Sequence, residues 1–301
     1  MSKSTKWFLI IFTILILVGF GSLMLLYGIV SSFGERTEVV TTGSGSKIGV
    51  VELQGVITSS DEVVRQLKKY REDRSIKGIL LRVDSPGGGV VASQEMYEEM
   101  KKTRETKPVV VSMGALAASG GYYVSCGASR LVANRGTLTG SIGVISEFLQ
   151  LQAALDKLGV SVKTIKSGKL KDSGSSTRTM TAEDEKYFQQ LMDNVHHQFI
   201  RVVENERHMD HDEVVRIADG RVFTGEQAVR NGLVDTLGTF EDAVHIAAEL
   251  AGISGEPSLV KERKRRTFWD SIFGDAEETL TRLRQDIVEM PALSYRFTGP
   301  Y

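Results

Sequence analysis

The sequence predicts an α/β fold, a parallel sheet covered by helices, preceded by one transmembrane helix. Three observations carry this: a long uncharged apolar run near the N-terminus, a regular alternation of short apolar runs with amphipathic stretches from Lys47 onward, and helical periodicity that dominates after Ala182.

The apolar run spans Trp7 to Val30, 24 residues without a charge. As a helix rising about 1.5 Å per residue it is about 36 Å long, enough to cross a bilayer with tilt. Lys3 and Lys6 precede it, whereas Glu35 and Arg36 nearly cancel after it, so the positive-inside rule puts the N-terminus in the cytoplasm and the rest outside. A secretory signal has an apolar core of about 7–15 residues and an A-x-A-like cleavage site. This run is longer and has no such site, so it is expected to remain as an anchor (residues 1–30). A flexible linker over residues 31–46, ending in "TTGSGS", is expected to hold the next domain near the membrane.

In the main domain, residues 47–250, "KIGVVEL" predicts a buried strand and "SDEVVRQLKKYRED" an amphipathic helix capped by Ser60 or Asp61. A second strand, "GILLRVD", and a second helix, "VVASQEMYEEMKKTRE", follow. "PVVVSM" is a third strand, and "SGGYYVSC" then begins a helix. "RLVA" and "VSVKTIK" read as strands flanking a helix near "FLQLQAALDKLG". Helices are expected over 182–207, 211–218, 225–231 and 239–250.

Composition narrows the function classes. With 41% hydrophobic and 25% charged residues the chain is long enough for a real core, and a formal net charge of −1 gives no footprint for nucleic acid. The single cysteine, Cys126, excludes an intrachain disulfide and thiolate zinc clusters, and its small-residue surroundings read as core.

Parallel sheets carry their chemistry at the carboxyl ends of the strands. The second strand runs into "DSPGGG" (84–89), where Pro86 fixes one turn residue and three glycines let a ligand approach the backbone. It has neither the lysine and spacing of a P-loop nor a G-x-G-x-x-G pattern, and "GSGSK" (43–47) precedes a strand instead of following one. The third strand runs into "GALAASGGYY". Ser119, before Gly120 and Gly121, has the setting of a nucleophile elbow, yet the string is A-x-S-x-G; a hydroxyl that simply caps the next helix is the other reading. A nucleophilic serine needs a base. All five histidines (196, 197, 208, 211 and 245) fall in the helical C-terminal part, away from strand ends. The polar segment "SGKLKDSGSS" offers Lys169 and Lys171.

Five strings, "DSPGGG", "MGALAASGGYYVS", "TLTGSIGVI", "IKSGKLKD" and "ADGRVFTGEQAVRNGLVDTLG", together resemble the signal peptide peptidase A family in its short, single-domain, membrane-anchored form. The likeness covers roughly residues 47–250 in order and spacing. It implies a Clp protease/crotonase-like fold and a serine–lysine dyad: Ser119 as nucleophile, Lys171 as base, Ser141 holding the lysine amine. By analogy with Clp-like sites, the amides of Gly88 and Gly120 would form the oxyanion hole. It further implies cleaved signal peptides as substrates, membrane lipid around the anchor, a homo-oligomeric ring in which the dyad lies within one subunit or between two, and no cofactor. A free lysine amine keeps its proton to about pH 10.4, so a lysine base working near pH 7–8 must be disfavoured as a cation by about 4 kcal/mol, through desolvation or nearby positive charge. Asp172 would oppose this unless it points away.

The tail, 251–301, carries the basic stretch "KERKRR" (261–266), an amphipathic pattern through "TFWDSIFGDAEETLTRLRQDIVEM", and "PALSYRFTGPY", whose alternating aromatics fit an extended strand in the enzyme's own substrate groove. Two other classes share parts of this pattern: a crotonase-type acyl-CoA enzyme, which needs no serine and lysine here, and a membrane-tethered scaffold without catalysis.

Overall fold

The computed structural model describes residues 3–32, 37–264 and 294–298. The chain forms two compact units, Met1–Val40 with Glu262–Met290 and Thr41–Lys261 with Pro291–Tyr301. The first contains α1 (Lys3–Ser32), in which Thr5–Leu26 has a mean hydropathy of 2.8, long and apolar enough to cross a membrane. Ile10, Phe12, Leu17 and Leu25 all project outward, so the helix has no polar stripe of the kind a surface helix of a soluble domain carries. A strand, β1 (Thr37–Thr42), lies within the stretch expected as linker.

The second unit runs β2 (Lys47–Gln54), α2 (Asp61–Glu72), β3 (Ile76–Ser85), β4 (Gly87–Gly89), α3 (Val90–Arg104), β5 (Val109–Ala118), α4 (Gly120–Ser125), β6 (Arg130–Ala133), β7 (Leu138–Gly140), α5 (Gln152–Lys157), α6 (Ala182–Arg207), α7 (His211–Ile217), β8 (Val222–Thr224), α8 (Gly225–Arg230), β9 (Thr236–Leu237), α9 (Phe240–Leu250), β10 (Ser258–Lys264) and β11 (Ser294–Arg296). The order β10–β2–β3–β5–β6–β9 is parallel throughout. β5 changes partner midway: Val110–Met113 pair with β6, Leu116–Ala118 with β7, and β8 adds antiparallel to β7.

Helices cover both faces, which is why the strands read as continuous apolar runs. Ile48, Val50, Leu80, Val110 and Val132 meet Ala243, Val244, Ala247 and Ala248 of α9. The alternate residues Val51, Ile79, Leu81 and Val111 join the larger cluster with Val63, Leu67 and Tyr70, the i, i+4, i+7 stripe of α2. Thr181, Thr224 and Thr239 start α6, α8 and α9 with capping boxes closed by Asp184, Gln227 and Asp242.

Three expectations change. Ser60 does stand before α2, but its hydroxyl donates to Glu95 and caps no amide. "VSVKTIK" is not a strand: Val160 and Val162 are half exposed and Ile165 is 91% exposed, because no strand among the described residues pairs with this segment and an apolar alternation needs a sheet to lie on. The start of the basic stretch, 261–264, ends β10, whereas the amphipathic pattern after it lies outside the described residues.

Candidate active site

β5 delivers Ser119 to the start of α4. Its backbone, φ 53° and ψ −115°, is one that side chains rarely adopt. It is fixed on both sides: the Ser119 amide donates to the Gly140 carbonyl (2.7 Å), and its own carbonyl accepts from Tyr123 (2.8 Å). The hydroxyl caps no amide of α4, although Ser119 sits at the cap position. The hydroxyl therefore does not act as a cap: Ser119 is a buried serine, 1% exposed, on a strained strand-to-helix turn. β7 runs parallel beside this end of β5 with Ala118 opposite Gly140, so Ser141, also at positive φ (51°), follows alongside Ser119.

The glycine loop supplies the second half. Gly87 donates its amide to Ser85 Oγ (3.1 Å) and Gly89 donates to the Ile57 carbonyl (2.7 Å), while Ile57 donates to the Gly87 carbonyl (2.8 Å). Strand alternation then turns the Gly88 amide to the opposite side. Gly120 lies against it: a β-carbon there would come within 2.6 Å of Ser93 Oγ and 3.1 Å of the Gly88 nitrogen. The absence of a side chain at 120 is what lets the turn after Ser119 approach the glycine loop this closely.

A strand already lies along this loop. β11 pairs antiparallel with β4, with Tyr295 opposite Gly88, and on its other edge Ser294 exchanges hydrogen bonds with Ile145 (3.0 and 3.1 Å). Phe297 continues the ladder by donating to the Pro86 carbonyl (2.8 Å). A β-carbon built on Gly87 would lie 2.0 Å from the Tyr295 carbonyl oxygen and 2.5 Å from the Gly120 nitrogen, so that carbonyl and the start of α4 both crowd the glycine loop. The Tyr295 ring is fully buried, stacks on Tyr123 (5.1 Å, 22°), tilts against Phe199 (4.8 Å), and donates its hydroxyl to the Val195 carbonyl (3.1 Å). Burial pushes the Tyr123 hydroxyl up to about 12, so it is neutral and the pocket is an uncharged aromatic one. Sequence reasoning missed this pocket; the aromatic pair in "GGYYVS" was its only local signal.

Other candidates fall away on geometry. Burial pushes the Cys126 thiol up to about 12, which leaves it a core residue. His211 pairs with Glu204 and His197 with the Asp193 carbonyl, and no histidine hydrogen-bonds Ser119 among the described residues. Lys171 lies on the exposed segment before α6, with its amide donating to the Gly168 carbonyl (3.1 Å). Its neighbours are engaged, Lys166 with Asp172 (2.5 Å) and Lys169 with Glu183 (2.5 Å), while the Lys171 amine has no carboxylate partner among the described residues.

The comparisons with known proteins bear on the same region. The model of Peptidase family S49 matches residues 101–254, from α3 past α9, and so spans both Ser119 and Lys171. The chain belongs to Peptidase family S49. A Clp protease model matches residues 48–145, from β2 to just beyond β7, in keeping with the Clp-like fold. Among S49-type relatives, Putative protease slr0021 of Synechocystis is 44% identical over 70% of this chain and 77% of its own length. The Putative signal peptide peptidase SppA of Enterococcus faecium is 41% identical over 67% of this chain and 62% of its own. Protease 4 of Salmonella typhi is 35% identical over 83% of this chain but 43% of its own. A solved ClpP1 variant from Listeria monocytogenes aligns with a TM-score of 0.45 at 15% identity, over 64% of this chain and 93% of that one.

Proposed function

We propose that this S49 chain is a membrane-anchored serine endopeptidase that hydrolyses cleaved signal peptides and other small apolar peptides at the outer face of the cytoplasmic membrane. The observation that carries the reading is Ser119, held in a strained turn with a hydroxyl that caps nothing, beside the Gly88 and Gly120 amides. The Ser119 hydroxyl gives its proton to the Lys171 side chain, acting as base, as its oxygen bonds to the peptide carbonyl carbon. The resulting oxyanion is held by the two amides. The C–N bond then breaks, the Lys171 ammonium protonates the leaving amine, and water, activated by the same amine, releases the acyl group. Ser141 holds that amine in line. Because Lys171 lies on an exposed segment with apolar Val162 and Ile165 also exposed, the dyad is completed in a homo-oligomeric ring, within one subunit or between neighbours. α1 holds the domain at the surface where apolar peptides collect, with its N-terminus in the cytoplasm.

The direct test is mass spectrometry of a synthetic signal peptide incubated with the full chain in mild detergent, with Ser119→Ala as control. Cleavage equal in both would end the proposal. Substrate is expected to take the path β11 takes, as an antiparallel strand between β4 and Ile145. A tethered tail on that path competes at an effective concentration in the millimolar range. Deleting residues 291–301 is therefore expected to lower KM for short peptides several-fold with kcat little changed; unchanged KM and rate would remove β11 from the substrate path.

A further inference from the structure

The segment carrying Lys171 is held by one arginine. Arg178 Nη1 donates to Asp184 Oδ2 (2.6 Å), and Nη2 donates to Asp184 Oδ1 (3.1 Å), Asp172 Oδ1 (3.0 Å) and the Asp172 carbonyl (3.1 Å). Asp184, its side chain 3% exposed, also accepts from Ser173 Oγ (2.5 Å) and from the Thr181 hydroxyl (2.8 Å) and amide (3.0 Å) at the start of α6. Residues 172–173 are thereby tied to a 26-residue helix through a planar fork that no lysine can reproduce.

The same fork answers the problem Asp172 poses. A free carboxylate next to Lys171 would stabilise its ammonium and work against its use as a base. Here the Asp172 carboxylate is turned onto Arg178 and Lys166, and hydrogen bonds from these two hold it down at about 2. The charged groups around it cancel in pairs: Lys166 and Arg178 against Asp172 and Asp184, Lys169 against Glu183, with Glu185 and Lys186 exposed on the first turns of α6 and Lys163 exposed on the preceding segment. Resting on the reading of Lys171 as the base, we propose that Arg178 is a positioning residue for catalysis. It fixes the Lys171 segment to α6 and takes up the Asp172 charge, so that Lys171 sits in a locally neutral setting.

The test is the pH profile of kcat/KM for peptide cleavage by the full chain in detergent at low ionic strength. Arg178→Gln frees the Asp172 charge, and its acid limb is expected to move up by at least about half a pH unit. Arg178→Gln with Asp172→Asn should return the limb to its wild-type position, and Asp172→Asn alone should move it down. These differences should shrink in high salt. A role limited to stability would lower the rate without moving the limb. A folded Arg178→Gln protein with an unmoved limb, or a double variant that fails to restore it, overturns the proposal. If Arg178→Gln does not fold by circular dichroism, an unmoved or raised limb in Asp172→Asn does the same. Failure of the base reading is separately visible: Lys171→Ala would then retain activity whatever Arg178 variants do.

Discussion

Ser119→Ala is expected to lower kcat/KM for peptide cleavage by at least about 10⁴-fold while leaving the fold intact. Alanine keeps the β-carbon, and so the strain at φ 53°, but removes the atom that attacks. The Gly88 and Gly120 amides remain, so substrate should still bind with KM little altered. A companion variant separates chemistry from stability. Ser119→Gly removes the β-carbon at a positive-φ position and should raise unfolding stability by about 1 kcal/mol, read by urea denaturation of the detergent-solubilised chain, while being equally inactive. A stabilised, inactive glycine variant is the signature of a residue kept for reaction at a cost to the fold. Activity within tenfold of wild type in either variant would place the nucleophile elsewhere.

Lys171→Ala is expected to lower kcat/KM by at least about 10³-fold, because a serine hydroxyl is a poor nucleophile without a base and no histidine substitutes for one among the described residues. Lys169→Ala should cost little, since Lys169 is committed to Glu183 on the surface. The contrast between two lysines separated by one residue tests the assignment within a single assay. Mixing the inactive Ser119→Ala and Lys171→Ala proteins under conditions that allow subunit exchange tests the geometry: recovered activity requires a serine and a lysine from different copies, whereas none is expected if each copy completes its own dyad. Full activity in Lys171→Ala alone would refute the dyad in either form.

Much of the fold was legible because two-sided burial leaves a plain record. Runs such as "GILLRVD" and "PVVVSM" place consecutive apolar residues, Ile79–Leu81 and Val109–Val111, on both faces of their strands, a pattern that fits strands covered on both sides. The same rule over-reads "VSVKTIK", whose alternation is real but has no sheet to join among the described residues. β4 escaped because "GGG" has no side chains to form a pattern, and it is a strand only through Ile57 and β11 on its two edges. At the site, the string around Ser119 allowed both a cap and a nucleophile; the structure shows a strained Ser119 whose hydroxyl caps no amide of α4. The partners that the Gly87 and Gly89 amides take, Ser85 and Ile57, could not be read from three identical residues. Arg178 left no sequence signal as a brace, since its meaning depends on Asp172 and Asp184 converging on it from opposite sides.

The change of partner along β5 limits how this protein can vary. Its first half is locked to β6 and its second half, ending just before Ser119, to β7. One inserted or deleted residue anywhere in Val109–Ala118 would displace position 119 by about 3.3 Å and turn its side chain to the other face. Such length changes in β5 act as null alleles, whereas the exposed turn at 134–136 between β6 and β7 has room to lengthen. Length polymorphism in natural or engineered variants should therefore gather at that turn and leave the strand beside it untouched.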